Sequence, residues 1–241
     1  MKALQGVRIL DMTHVQSGPT CTQLLAWFGA DVIKVEPRGG DPSRTHGPFL
    51  NDDPSPEKSG LFLFLNTNKR SITVDLESQG GQEIIKKLVE QSSIVVENFK
   101  PGYLDKLGLG YRDLSQLNPS LVMTSITNFG QTGPYSNQPG FGTLIEAMSG
   151  FAHLTGDPEG PPMLPQFALA DSFAGCYATM ATMFAIYHRD IFGAGKGQII
   201  DVSLWESLFS MLGPNAMVSQ LTGQPPMRTG NRTITSAPRN L

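Results

Sequence analysis

The chain has 241 residues, 39% of them hydrophobic and 16% charged, with a formal net charge of −3. That length supports one domain with a large core or two small ones, and the composition excludes an intrinsically disordered chain. The slightly acidic balance gives no global basic footprint for nucleic acid, although local basic clusters can still hold a phosphorylated ligand. Cys21 and Cys176 lie far apart, each in an apolar helical stretch. This pattern suits buried thiols in a reducing compartment better than a disulfide framework, so a cytoplasmic location is expected. The start, Met1-Lys2-Ala3-Leu4-Gln5-Gly6, lacks the apolar region of a signal peptide. No run approaches the roughly 18 uninterrupted apolar residues of a membrane span. The sequon Asn231-Arg232-Thr233 is therefore read as a chance match.

In chain order, short β-branched runs alternate with longer helical patterns, which predicts βαβ units and an α/β fold with a Rossmann-like, mostly parallel open sheet and flanking helices. Val7 to Asp11 reads as the first strand, and Gly18-Pro19 opens a helix that stops at Gly29. Asp31 to Glu36 is the second strand, followed by a polar loop to about Gly60. Ser71 to Asp75 reads as a strand, and Gln79 to Gln91 as a helix with Ile84, Ile85, Leu88 and Val89 on one face. Ile94 to Glu97 and Leu121 to Ser125 are further strands, separated by short helices over Pro101 to Leu107 and Tyr111 to Leu117. A helix from Phe141 to Gly150 leads into a Gly/Pro-rich loop, and a long helix covers Asp171 to Asp190. Gln198 to Val202 is the last predicted strand, Leu204 to Leu221 the last helix, and the remainder a polar connection.

Several motifs of known chemistry are missing. Gly140-Phe141-Gly142 has Ile145 where a dinucleotide fingerprint needs its third glycine, and it does not follow the first strand. Gly195-Lys196-Gly197 lacks the Ser or Thr of a phosphate-binding loop and reads as a turn. His14, His46, His153 and His188 show no metal-ligand spacing, so no metal site is expected. Gly-x-Ser-x-Gly does not occur, which removes the simplest esterase reading.

Asp171 stands apart as a single carboxylate in an uncharged stretch from Phe167 to Tyr187. An Asp before an apolar helix most often caps it by accepting backbone N–H bonds. The alternative is a desolvated carboxylate, whose pKa rises and whose nucleophilicity rises with it. Ala174, Gly175, Ala178 and Ala181 follow, small enough to admit another backbone or a ligand.

Separated segments, in order along the whole chain, resemble the class III CoA-transferases, typified by formyl-CoA:oxalate CoA-transferase and the carnitine and bile-acid enzymes. They are Gly6-Val7-Arg8-Ile9-Leu10-Asp11 through Gly18-Pro19, Gly29-Ala30-Asp31-Val32-Ile33-Lys34-Val35-Glu36, Asn66-Thr67-Asn68-Lys69-Arg70-Ser71, Val96-Glu97-Asn98-Phe99-Lys100-Pro101-Gly102, Gly130-Gln131-Thr132-Gly133-Pro134, Ala170-Asp171 and Gly195-Lys196-Gly197-Gln198. The resemblance implies that Asp171 is the nucleophile. It would attack an acyl-CoA thioester to give a mixed anhydride, then pass through an aspartyl-CoA thioester before the acceptor carboxylate reverses the sequence. Gln16 matches a glutamine beside the reacting carbonyl, where its amide can donate to developing charge. For coenzyme A, bound as substrate with no resident cofactor and no metal, the resemblance points to Ser17, Asn98, Phe99, Lys100, Lys106, Phe141, Gly142 and Thr143. It also points to Val74, Asp75 and Leu76 on a flanking strand. Arg38 is a weaker candidate, offset by one position from the family arginine, which aligns with Pro37.

The related α-methylacyl-CoA racemases also resemble the chain, but they carry a histidine acid/base where Phe141 follows Gly140 here. Two-base epimerisation would lack its second base, so the transferase reading is preferred. Family members are longer, adding a small domain, a glycine-rich loop over the active site and a C-terminal return, and their subunits interlock as rings. The expectation is a large-domain portion over residues 1–225 and a linker over 226–241 towards a small domain absent from this chain. A homodimer, or a partner chain supplying the rest, is implied, with an acyl-CoA donor and a carboxylate acceptor as the small-molecule partners and neither nucleic acid nor membrane. The alternative from another class is a CoA-binding or assembly fragment with little activity of its own.

Overall fold

Runs such as Ile94-Val95-Val96 have no polar side, which suits strands covered on both faces. In the computed structural model, which describes residues 2–232, these runs lie side by side. Thr233 of the sequon and residues 233–241 of the expected linker lie outside the described residues. Among the described residues β1 (Arg8–Asp11), β2 (Asp31–Glu36), β3 (Lys69–Thr73), β4 (Ile94–Glu97), β5 (Val122–Thr127) and β6 (Ile199–Ser203) form one sheet. Its order is β3-β2-β1-β4-β5-β6, and every neighbouring pair is parallel. The α/β expectation, with a Rossmann-like sheet, is borne out.

The connections are helical. α1 (Ser17–Trp27) follows β1; α2 (Gly60–Leu65) precedes β3 and α3 (Gln79–Val89) follows it. α4 (Tyr103–Lys106) and α5 (Tyr111–Leu117) join β4 to β5. α6 (Gly142–Met148), α7 (Phe151–Leu154) and α8 (Leu169–Ile191) lie between β5 and β6, and α9 (Leu204–Ser210) and α10 (Asn215–Thr222) come last. Alternation along the strands divides the core in two. Ile9, Val32, Ile94, Val96 and Val122 face α1 and α8, whereas Leu10, Ile33, Val35, Val95 and Met123 face Ile85, Val89 and Leu114 of α3 and α5. Each such fully buried aliphatic side chain stabilises the fold by about 1.5–3 kcal/mol.

α8 is long and apolar enough to cross a membrane by length and composition. Its buried face, however, consists of Ala174, Gly175, Ala178, Thr182, Ala185 and Ile186, and it packs on α1, β5 and β6. The small residues predicted to admit a backbone admit that of α1. A Cβ at Gly175 would stand 2.7 Å from Thr20 Cβ and 2.8 Å from the Ser17 carbonyl oxygen.

Four local differences from the sequence expectations have physical reasons. β3 begins and ends two residues early, at Lys69 and Thr73, so Val74, Asp75 and Leu76 lie beyond the strand. Val74 still donates its N–H to the Glu36 carbonyl and then turns into the second core. The expected helix over 204–221 is two helices, because Pro214 after Gly213 brings no N–H to continue the first. α2 was not anticipated: Gly-Leu-Phe-Leu-Phe-Leu has no helical period, yet Ser59 caps it by accepting from the Phe62 N–H. Finally, Asp171 is not the cap of its helix. α8 begins at Leu169 after Ala168, which makes no side-chain capping bond, and Asp171 is its third residue.

Gly175→Ala should force α1 and α8 apart and destabilise the chain by about 1–3 kcal/mol, read as a lowered chemical-denaturation midpoint. An unchanged midpoint would show that the interface yields without cost.

Candidate active site

In a sheet of this order the chain reverses direction between β1 and β4, which opens a crevice beyond their carboxyl ends. A cavity of about 1110 Å³ lies there, bounded by the turn after β1, the segments after β4 and β5, the start of α6 and the first turn of α8. It exceeds the ~300–1,000 Å³ of pockets for drug-sized ligands.

Of the sequence candidates, Gln16, Ser17, Asn98, Phe99, Lys100, Lys106, Phe141, Gly142, Thr143 and Asp171 all line this cavity. Arg38, Val74, Asp75 and Leu76 are not among the residues lining it. Arg38 is exposed on the loop after β2, while Val74 is buried in the second core with Leu76 against it. The buried arginine of that loop is Arg44, which grips the Glu36 carboxylate at 2.7 and 2.8 Å and stacks over the Phe62 ring.

The turn after β1 is held from several sides. Asn98 accepts the His14 N–H and donates its own amide to the His14 carbonyl, both at 2.8 Å. Its side chain is thus a brace between β1 and β4. Val15 has φ 63°, a left-handed conformation that a β-branched residue seldom adopts, and its N–H points at the Asp41 carboxylate. Asp41 in turn pairs with Lys34 at 2.8 Å, both side chains almost fully buried. Gln16 therefore arrives at the cap position of α1 with no side-chain capping bond, leaving its amide uncommitted.

Asp171 faces this turn. Burial, and then the nearby Glu146 carboxylate, push its carboxyl up to about 6, while the N–H groups of Asp171 itself and of Ser17 pull the other way. Gly142 makes room for it: a Cβ there would come within 2.2 Å of Asp171 Oδ2. Lys100 and Lys106 are exposed on the cavity rim. The Phe99 ring packs between His14, centroids 5.3 Å apart, and Tyr103, 4.9 Å apart. The site thus joins a poised carboxylate, amide donors, an aromatic wall and two cations.

Sequence reasoning missed His14, Thr127 and Glu146 as wall residues. His14 was dismissed because its spacing excludes a metal site, which says nothing of its place on a cavity wall. Thr127 Oγ1 is buried without a hydrogen-bond partner among the described residues, and nothing in the local sequence marks it. Glu146 comes from a different helix and meets Asp171 only through the fold.

The profile of CoA-transferase family III matches residues 4–241. The chain belongs to CoA-transferase family III. It is 40% identical over its full length to succinyl-CoA–D-citramalate CoA-transferase of Chloroflexus aurantiacus, covering 58% of that protein. Over 95% of the chain it is 41% identical to succinate–glutarate CoA-transferase of Agrobacterium fabrum, covering 57% of it. Among solved structures, a CaiB/BaiF family protein from Brucella suis superposes with a TM-score of 0.91 at 39% identity, over 98% of this chain and 62% of that one. The chain therefore spans about three fifths of the length of these family III relatives. The family resemblance read from the sequence is borne out.

The buried acids that hold the site also set its acid limit. Burial would raise Glu36, but Arg44 and Ser71 hold it down from 4.5 to about 2. Burial likewise opposes Asp11 and Asp41, and the ammonium groups of Lys69 and Lys34 respectively outweigh it, holding both below 3.8. Depressed folded values mean that this stabilisation is complete above the unfolded value of 4.5 and is lost as the pH falls towards about 2. The denaturation midpoint should therefore be insensitive to these groups above that value and fall steadily below it. A midpoint that does not fall on acidification would contradict the assignment.

Proposed function

We propose that the chain carries an acyl-CoA:carboxylate CoA-transferase site, with Asp171 as nucleophile. The single observation that carries this reading is a desolvated aspartate, with no cation among the charges acting on it, opposite the first turn of a helix in the switch-point cavity. Asp171 attacks the thioester carbonyl, and expulsion of the CoA thiolate leaves a mixed anhydride. The retained thiolate attacks the aspartyl carbonyl, releasing the donor acid and leaving an aspartyl-CoA thioester. The acceptor carboxylate attacks that thioester, and the returning thiolate cleaves the new anhydride, giving the product acyl-CoA and free Asp171. The Gln16 amide is the side-chain donor for the tetrahedral oxyanions. Lys100 and Lys106 attract the CoA phosphates, and Phe99 and Tyr103 offer a flat apolar surface to the adenine.

Small carboxylic acids are the proposed donor and acceptor classes, as the names of the relatives suggest. Residues 1–225 act as the large-domain portion and 226–241 as a connection, with a homodimer or a pairing with a partner chain as the assembly. Cys21 is buried as the sequence predicts, whereas Cys176 is exposed; both are free thiols, which fits a reducing, cytoplasmic setting. Epimerisation is disfavoured because Phe141, at the mouth of α6, cannot carry a proton.

Incubation with an acyl-CoA and a carboxylate acceptor should transfer CoA, and mass spectrometry should find an acyl or CoA adduct on Asp171. Asp171→Ala should abolish both while leaving CoA affinity nearly unchanged; a tenth of the activity remaining would refute the nucleophile. Solvent deuterium appearing at the acyl α-carbon would favour an epimerase instead. CoA binding without exchange would favour the binding-fragment reading.

Lys100→Ala and Lys106→Ala should each weaken CoA binding and flatten its dependence on salt, because one screened charge pair is lost. A salt dependence identical to wild type would remove the phosphate role.

A further inference from the structure

The first turn of α8 poses a chemical problem for a nucleophile. A carboxylate there normally accepts the unpaired N–H groups of the helix end and is stabilised by the helix dipole, which makes it less reactive. α8 has no capping side chain of its own at Ala168. Two of its first-turn N–H groups are taken instead by Glu146 on α6, whose Oε1 accepts from Leu169 N–H at 2.9 Å and Ala170 N–H at 3.2 Å, which leaves the N–H of Asp171 as the one that acts on its own carboxyl. Glu146 is only 3% exposed, and it lines the same cavity as Asp171.

We propose that Glu146 is a positioning residue for the reactive carboxylate. It occupies two of the N–H groups that would otherwise bind and quiet Asp171, and it places a second negative charge behind the helix end so that Asp171 stays basic. This inference rests on the reading of Asp171 as nucleophile. The groups around Asp171 leave Glu146 as its charged neighbour. From α1 and the turn before it come the uncharged Ser17 and Gln16, and residues 164–168 bring no ionisable side chain. The remaining titratable side chains on the cavity wall, His14, Lys100, Tyr103 and Lys106, are not among the groups that move the Asp171 carboxyl.

Glu146→Gln separates charge from capping, since a glutamine oxygen can still accept both N–H groups. The Asp171 carboxyl, followed by carbon NMR with labelled aspartate and assigned through Asp171→Asn, should titrate near about 6 in the wild-type chain and lower in Glu146→Gln, where burial, the larger cause, still holds it above 3.8. At neutral pH the same variant should form the acyl adduct several-fold more slowly, with the acid limb of that rate moved in the same direction as the NMR midpoint. Glu146→Ala, which loses both roles, should slow the reaction further. A Glu146→Gln chain whose Asp171 titrates as in wild type overturns the proposal, even if its stability falls, because Glu146 would then be a structural cap alone. A wild-type chain that titrates near about 6 but forms no adduct would refute the nucleophile and leave the Glu146 coupling standing.

Discussion

Two buried lysines fix the turn on which the site depends. Lys34 and Lys69 have side chains 1% exposed, an arrangement that costs several kcal/mol per ion unless each charge is paired and hydrogen-bonded. Both meet that condition. Lys34 pairs with Asp41 and donates to the Thr13 carbonyl at 2.9 Å. Lys69 uses three contacts at 3.0 Å, to Asp11, to Asn66 and to the Pro19 carbonyl. The two ammonium groups therefore clamp the backbone at either end of the segment that presents Gln16 and Ser17. Between them Asp41 holds Val15 in its left-handed conformation, a strain that persists only because the surroundings over-determine it.

The same chain shows how environment sorts identical side chains into different roles. Asp11 is fully buried and Asp171 half-buried, and desolvation acts on both in the same sense. Asp11 faces Lys69 and Lys34 and accepts from Thr13 and Thr22, so its charge is held firmly and it serves as a structural anion. Asp171 faces no lysine or arginine and has Glu146 behind it, so its charge is held weakly. A carboxylate saturated by cations is a poor nucleophile; one left with few donors is a good one. The contrast lies in the partners, and neither residue's immediate sequence distinguishes it.

Legibility followed the range of the interaction. The strands and most helices could be read because β-branched runs and helical periods are local, and Ile94–Glu97 and Tyr111–Leu117 fall where the pattern puts them. The Val74–Leu76 misplacement arose where the β-branched run Ile72-Thr73-Val74 outlasts the partner strand, since β2 ends at Glu36 opposite Thr73. Asp171 was suspicious from its uncharged surroundings, yet the helix start two residues earlier could not be read, because the group that caps it, Glu146, lies 23 positions from Leu169 in sequence. His14, Thr127 and Glu146 became visible as wall residues only when the switch point brought the ends of β1 and β5 and the face of α6 together. Asn98 shows the converse: its place on the cavity wall was legible, whereas its commitment to the His14 backbone was not.

α8 joins the fold to the chemistry. At Gly175 its backbone comes so close to α1 that no side chain fits between, and the atoms it approaches there are Thr20 Cβ and the carbonyl of Ser17. One helical turn earlier, the same approach brings Asp171 to the N–H of Ser17. Gly142 repeats the device from α6, leaving space for the Asp171 carboxylate where any Cβ would displace it. Asp171 is thus located by two glycine contacts, one on each side. The lysine clamp fixes the turn that faces it. Rigid packing sets the distances, and the uneven supply of charge sets how firmly Asp171 holds its own; the proposed role of Asp171 needs both arrangements.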